Sequence, residues 1–156
     1  MDYLVNLSTL PQDTKSPDAM AKAGVTIRRA LPPELKLIVR WIDEHFGEAW
    51  ASEATVAITH RPPTCFIATR EGKLVGFSCH EATAPDFFGP TGVGESLRGL
   101  GIGRALLFAS LNDLKAMGYG YAIIGDVGPS AFYEKAVGAI PIPDSAPGIY
   151  AGMLKT

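Results

Sequence analysis

The sequence predicts an α/β fold of the mixed α+β kind, with one central, mostly antiparallel sheet and helices on both faces. Three observations carry that expectation. Segments of helical period alternate with short apolar strands, in the order β-α-α-β-β-β-α-β-α-β-β over residues 25–154. Residues 64–70 and 73–81 flank Glu71-Gly72, a hairpin signal, so they form an antiparallel pair. A strand at Val93, a long helix and an apolar strand around Ile123 make a strand–helix–strand unit, which requires a parallel pair.

Composition narrows the class further. The 156 residues are 47% hydrophobic and 19% charged, which sets aside a disordered chain and supplies one core. The net charge of −2 gives no general basic field for nucleic acid. No apolar run is long enough to cross a bilayer, and no basic segment followed by an apolar stretch opens the chain. A cytoplasmic location without a membrane partner is the expectation. Two cysteines make neither a disulfide framework nor a zinc site, and His45, His60 and His80 lack ligand spacing, so no metal is expected. The expected organisation is an N-terminal extension, residues 1–24, ahead of one domain, residues 25–156.

In the extension, residues 3–7 suit a short strand, residues 11–17 are turn-like, and residues 18–23 suit one helical turn stopped by Gly24. Such a stretch packs on the domain edge, joins a partner subunit or forms a loose tail. Residues 25–29 alternate and read as the first strand of the domain. Pro32-Pro33-Glu34 starts a helix, because proline suits a first turn and a carboxylate suits the dipole there. Leu35, Ile38, Val39, Ile42 and Phe46 form its buried stripe, and Gly47 ends it. A shorter helix follows from Glu48 to about His60, closed by Pro62-Pro63, with Trp50, Ala54, Ala57 and Ile58 on its packed face.

The hairpin then brings Cys65 and Cys79 near each other as reduced core thiols. Residues 82–92 read as a loop containing Pro85, Phe87, Phe88 and Pro90, ahead of a short strand at Val93. A helix stripe of Leu106, Leu107, Leu111 and Leu114 runs to about Met117, and Gly118 breaks it. Residues 119–125 make an apolar central strand. Pro129 opens another helix, and residues 138–140 turn into a strand cut short by Pro141 and Pro143. Residues 149–154 read as the last strand.

The chemistry lies in Arg98-Gly99-Leu100-Gly101-Ile102-Gly103-Arg104. Three glycines open a helix, where backbone N–H groups lack partners and the dipole is positive. That combination binds phosphate. A P-loop ends in Gly-Lys-Ser/Thr, whereas Gly103 is followed by Arg104-Ala105. A dinucleotide fingerprint begun at Gly99 or Gly101 places its last glycine at Arg104 or Leu106, which disfavours a nucleotide-dependent oxidoreductase.

The stretch resembles the acyl-CoA loop of the GCN5-related N-acetyltransferases, whose Gln/Arg-x-x-Gly-x-Gly/Ala signature is met by Arg98, Gly101 and Gly103. Phe132-Tyr133-Glu134-Lys135-Ala136-Val137-Gly138-Ala139 is similar to that family's Tyr-Glu-Lys-x-Gly-Phe segment and lies one strand–helix unit later. The resemblance covers nearly everything after Gly24 and is to single-domain, bacterial-type members. Asp126 stands where relatives often carry Asn, and Gly94-Glu95-Ser96 replaces their proline-led segment.

The resemblance implies an N-acetyltransferase that moves the acetyl group of acetyl-CoA to a primary amine of a small molecule or peptide, by direct attack in a ternary complex. Val93, Gly94, Arg98, Gly99, Leu100, Gly101, Ile102, Gly103, Arg104 and Asp126 are the implied acetyl-CoA contacts, with a backbone N–H near Val93-Gly94 polarising the thioester carbonyl. Tyr133 is the implied acid at the leaving sulfur, since a phenol of pKa about 10 stays protonated at neutral pH. For the base, Glu81 is favoured over His80 and Glu95, and a water relay is the other route. Phe87, Phe88, Trp41 and Trp50 are candidates to line an acceptor pocket. The resemblance is compatible with a homodimer, and with an alternative in which the same fold binds acyl-CoA without transfer.

Overall fold

A computed structural model describes residues 1–155. Its sheet has seven strands: β1 (Tyr3–Asn6), β2 (Val25–Arg29), β3 (Cys65–Arg70), β4 (Lys73–His80), β5 (Phe87–Val93), β6 (Tyr121–Ile124) and β7 (Ile140–Pro141). Five α-helices join them: α1 (Ser16–Ala23), α2 (Leu35–Phe46), α3 (Glu48–Thr59), α4 (Ile102–Ala116) and α5 (Ser130–Val137). The strands lie in the order β2-β3-β4-β5-β6-β1-β7. Every neighbouring pair is antiparallel except β5–β6, as the central strand–helix–strand unit demands. The mixed, mostly antiparallel α/β class therefore holds.

The core divides by sheet face. On one side Ile38 and Ile42 of α2 and Ala54, Ala57 and Ile58 of α3 pack on Ile67 and Phe77. On the other, Leu107, Leu111 and Leu114 of α4 meet Val5, Phe88 and Ile124, while Ile102 and Leu106 meet Met20 and Ala68. Trp50 leaves the predicted packed stripe of α3. It is 36% exposed and stacks on Phe46, with ring centroids 5.2 Å apart. No helix among the described residues is long and apolar enough to cross a membrane.

Two expectations are corrected. The stretch 82–92 is not all loop, because β5 already begins at Phe87 and pairs with β4. Ser78 faces Thr91 and His80 faces Phe88, so Gly89 and Pro90 share the single partner Cys79. This is a β-bulge, and its Gly-Pro pair disguised the strand. Residues 149–154 form no strand. Gly148–Tyr150 is a single 3-10 turn, and the place beside β6 is held by β1. The strand expected within residues 3–7 takes that place and packs the N-terminal segment on the sheet, with Val5 and Leu7 fully buried. The same segment also supplies α1, ended by Gly24 at φ +67° and packed on α4. Hydrophobic burial outweighs the entropy of ordering a terminal segment here, since β1 fills an edge that β6 would otherwise expose.

Candidate active site

The β5–β6 ladder is only two pairs long, Phe87 with Ile123 and Phe88 with Ile124. Beyond it β5 runs on to Val93 while β6 ends, so the sheet opens into a cleft. Gly94 N–H donates to Val75 O at 2.8 Å, toward β4. Strand alternation then turns the N–H and C=O of Val93 toward the open side. The carbonyl accepts from Arg98 Nε at 3.3 Å. The Val93 N–H is left facing the cleft, whereas that of Gly94 is already spent.

At the foot of the cleft the chain makes a 3-10 turn, Glu95–Leu97, and enters the glycine loop. Gly99 (φ +87°) and Gly101 (φ +88°) are left-handed, which a side chain would strain. The first helical bond of α4 runs from Ala105 N–H to Gly101 O at 3.1 Å. The six amides from Gly99 to Arg104 have no acceptor among the described residues. Ala19 and Met20 of α1 lie 3.6 and 3.8 Å from where a Gly101 Cβ would stand, so α1 braces the loop. Arg104 is held by Asp13 at 3.3 Å and lies over Phe108, 4.8 Å from its ring centroid.

The loop, the open edge of β5, the end of β6 and the start of α5 enclose a cavity of about 1260 Å³ with the exposed face of α3. Val93, Arg98, Gly99, Gly101, Ile102, Gly103, Arg104, Asp126 and Tyr133 line it together. Leu100 is 42% exposed and, like Gly94, stands off the lining. Asp126 lies at its rim, with Met1 N 3.9 Å from its carboxylate. Tyr133 is 6% exposed, its ring held edge-on by Phe88 and Phe132. Burial pushes its phenol up to about 12. Its hydroxyl has no hydrogen-bond partner among the described residues.

The structure moves the base candidates away from this cavity. Glu81, at φ +60°, turns off the end of β4 and accepts the Asp86 N–H at 3.0 Å. It lines a separate pocket of about 150 Å³ beside His60 and Asp113. His80 is fully buried and bonded to Asp113 through Nε2 at 2.6 Å. Glu95 is exposed and off the lining. Of the aromatic candidates, Phe87, Phe88 and Trp50 line the cavity and Trp41 does not.

Among the lining residues that the sequence does not flag are Glu53, Thr83 and Tyr150. Thr83 Oγ1 and the Tyr150 hydroxyl both donate to Glu53 Oε1, at 2.6 and 3.1 Å. Glu53 shares one face of α3 with Ala49 and Trp50, so its position was readable once Trp50 was set facing outward. Tyr150 carried no such signal, because its segment is apolar and strand-like.

No curated protein sequence matches the chain. Among solved structures, the GCN5-related glucosamine N-acetyltransferase region of a fungal multi-domain GH3 β-N-acetylglucosaminidase superposes with TM-score 0.71 at 18% identity, covering 87% of this chain and 19% of that one. A GCN5-related N-acetyltransferase from Sphaerobacter thermophilus gives 0.67 at 20%, covering 89% and 47%. The GNAT family N-acetyltransferase YhbS from Escherichia coli, solved with CoA, gives 0.54 at 22%, covering 72% and 67%. The chain thus spans less than half the length of the first two, and at these identities the likeness is one of fold. The model of the acetyltransferase (GNAT) family matches residues 35–139, from the start of α2 to two residues beyond α5, and so takes in both the split sheet and the glycine loop. The chain belongs to the GNAT acetyltransferase family.

Proposed function

We propose that the protein is an acetyl-CoA-dependent N-acetyltransferase that moves an acetyl group to a primary amine within a ternary complex. One observation carries this: a split sheet edge, a loop of unpartnered amides and a buried tyrosine with a free hydroxyl all open into one cavity. Acetyl-CoA fits that set. The amides from Gly99 to Arg104 and the α4 dipole suit its pyrophosphate, with Arg98 and Arg104 adding charge. The open edge of β5 suits its extended arm. The Val93 N–H is directed to the thioester carbonyl oxygen, where negative charge grows as the amine attacks.

Tyr133 serves the leaving sulfur as a hydrogen-bond donor. Its phenol titrates at about 12. A thiol like that of cysteine titrates at about 8.5, so full proton transfer from the phenol runs uphill by roughly 5 kcal/mol. A hydrogen bond to the developing thiolate is therefore the role that burial permits, and the net proton comes from the attacking amine. That proton passes from the amine nitrogen through water to the departing thiolate, and Glu81, His80 and Glu95 lie off the cavity.

Calorimetric titration with acetyl-CoA, CoA and NAD in parallel, followed by thiol release with an amine panel, tests this reading. Binding of the CoA species alone, with amine-dependent thiol release, is the expected result. CoA binding without release from any amine would leave the alternative, a module that binds acyl-CoA without transfer. Absence of CoA binding would end both.

A further inference from the structure

The cavity is charged differently along its walls. Its lining cations, Arg98 and Arg104, belong to the glycine loop and the first turn of α4. Its lining carboxylates, Glu53 and Asp126, stand on α3 and just beyond β6. Burial raises the Tyr150 phenol, a hydrogen bond with Thr83 lowers it, and the Glu53 carboxylate that accepts its hydroxyl at 3.1 Å raises it again. Asp126 has the N-terminal amine 3.9 Å away. Glu53 has no cation within salt-bridge distance among the described residues. Its two donors both use Oε1, and Oε2 has no hydrogen bond among the described residues. The lining of the same cavity is otherwise rich in apolar and aromatic side chains, among them Trp50, Phe87, Phe132 and Met153.

We propose that Glu53 is the acceptor-recognition residue of this cavity, and that the acceptor is a small organic cation, a primary amine on an apolar or aromatic body with no carboxylate of its own. The inference rests on the reading of the cavity as an acetyl-CoA and amine site. An ammonium group gains a charge-assisted hydrogen bond from the free Oε2. An acceptor carboxylate placed beside Glu53 meets a like charge, which disfavours it by repulsion. A peptide brings amide groups that the apolar walls leave unpaired. Thr83 and Tyr150 hold the carboxylate in place from the other oxygen, so the residue arrives at the acceptor already oriented.

Matched probes test the idea. Phenethylamine against phenylalanine, and 1,5-diaminopentane against lysine, differ within each pair by one carboxylate, and amidated trialanine stands for peptides. Thiol release should favour a decarboxylated member by at least tenfold in kcat/KM. Glu53→Gln keeps the size and an acceptor for Thr83 and Tyr150. It should raise the KM for that amine about tenfold, with kcat within threefold and KM for acetyl-CoA unchanged. Glu48→Gln removes the same charge from an exposed site of α3 off the cavity, and should move none of these values. Equal or better use of the carboxylated members or the peptide overturns the proposal while leaving the acetyltransferase reading intact. So does an unchanged amine KM in Glu53→Gln, or release from none of the five probes while acetyl-CoA binds. Failure of acetyl-CoA to bind strikes the underlying reading instead. Calorimetric binding of the two decarboxylated amines to wild type and Glu53→Gln still judges Glu53 in that case.

Discussion

Tyr133 and Gly92 show how single side chains set this cavity. Replacing Tyr133 by Phe keeps the ring between Phe88 and Phe132 and removes only the hydroxyl. If that hydroxyl steadies the leaving sulfur, the variant loses about 10²-fold in kcat, the lower end of acid–base contributions, with acetyl-CoA affinity unchanged by calorimetry. Gly92 works by absence. A Cβ there would stand 2.5 Å from Phe46 Cζ, and that ring is hemmed in by Trp41, Trp50 and Phe77 at centroid distances of 5.9, 5.2 and 5.8 Å. Overpacking of this kind costs about 1–3 kcal/mol, so Gly92→Ala should lower the denaturation midpoint by that amount without changing its slope. The first of these residues is legible in the sequence, because its helix repeats a known motif. The second is not: the need for glycine arises from a phenylalanine 46 positions away whose approach only the folded sheet creates.

At the scale of elements, β4 and α4 are joined through a partly buried polar set rather than by apolar packing alone. Asp113 of α4 accepts from Arg29 of β2 at 2.9 and 3.2 Å and from His80 of β4 at 2.6 Å. Burial pushes the Asp113 carboxyl up, but hydrogen bonds from Arg29 and His80 outweigh it and hold it below its ordinary 3.8. Burial pulls His80 below its ordinary 6.5, against the pull of Asp113. The folded state therefore keeps His80 neutral, while the unfolded chain takes up a proton near pH 6.5. The contribution is complete above that pH and shrinks as pH falls through it, by at most about 1.4 kcal/mol per pH unit. Asp113 adds a second loss below pH 3.8, again because the unfolded chain binds the proton first. Melts from pH 8 to 5 should show the first loss in wild type and a flatter profile in His80→Gln, whose amide still donates to Asp113. An identical pH profile in the variant would remove His80 from the account. The elements themselves were readable from period and punctuation, helices α2 and α4 most plainly. The strand β5 was not, because its bulge places Gly89-Pro90 inside a ladder, where a local reading sees only a turn.

For the whole molecule, the decisive feature is which end of the chain completes the sheet. Both ends offer a short apolar segment, residues 3–7 and 149–154, and sequence alone does not rank them. The structure seats the first between β6 and β7, where Val5 and Leu7 have no exposure. The second leaves Ile149 50%, Met153 59% and Leu154 93% exposed. Backbone hydrogen bonds from Tyr150, Ala151 and Met153 reach back only three residues, to Pro147, Gly148 and Tyr150. Its long-range ties are the Tyr150 hydroxyl to Glu53 at 3.1 Å and, more weakly, to Thr83 at 3.5 Å. The two ends thus carry different kinds of work, β1 the fold and the C-terminal segment the cavity wall. Ending the chain at Gly148 removes no ladder pair; besides local turn bonds it removes one good long-range hydrogen bond, worth roughly 1 kcal/mol, which shifts Tm by about 2–4 °C in a domain this size. Acetyl-CoA should bind that shortened protein as before, while the KM for an amine acceptor rises, because Glu53 loses one of its two donors and the cavity loses Met153. Removing residues 1–9 instead exposes the edge of β6 and the apolar flank of α4, and the chain should lose cooperative unfolding altogether. A cooperative melt after the N-terminal deletion, or its loss after the C-terminal one, would reverse this assignment of roles.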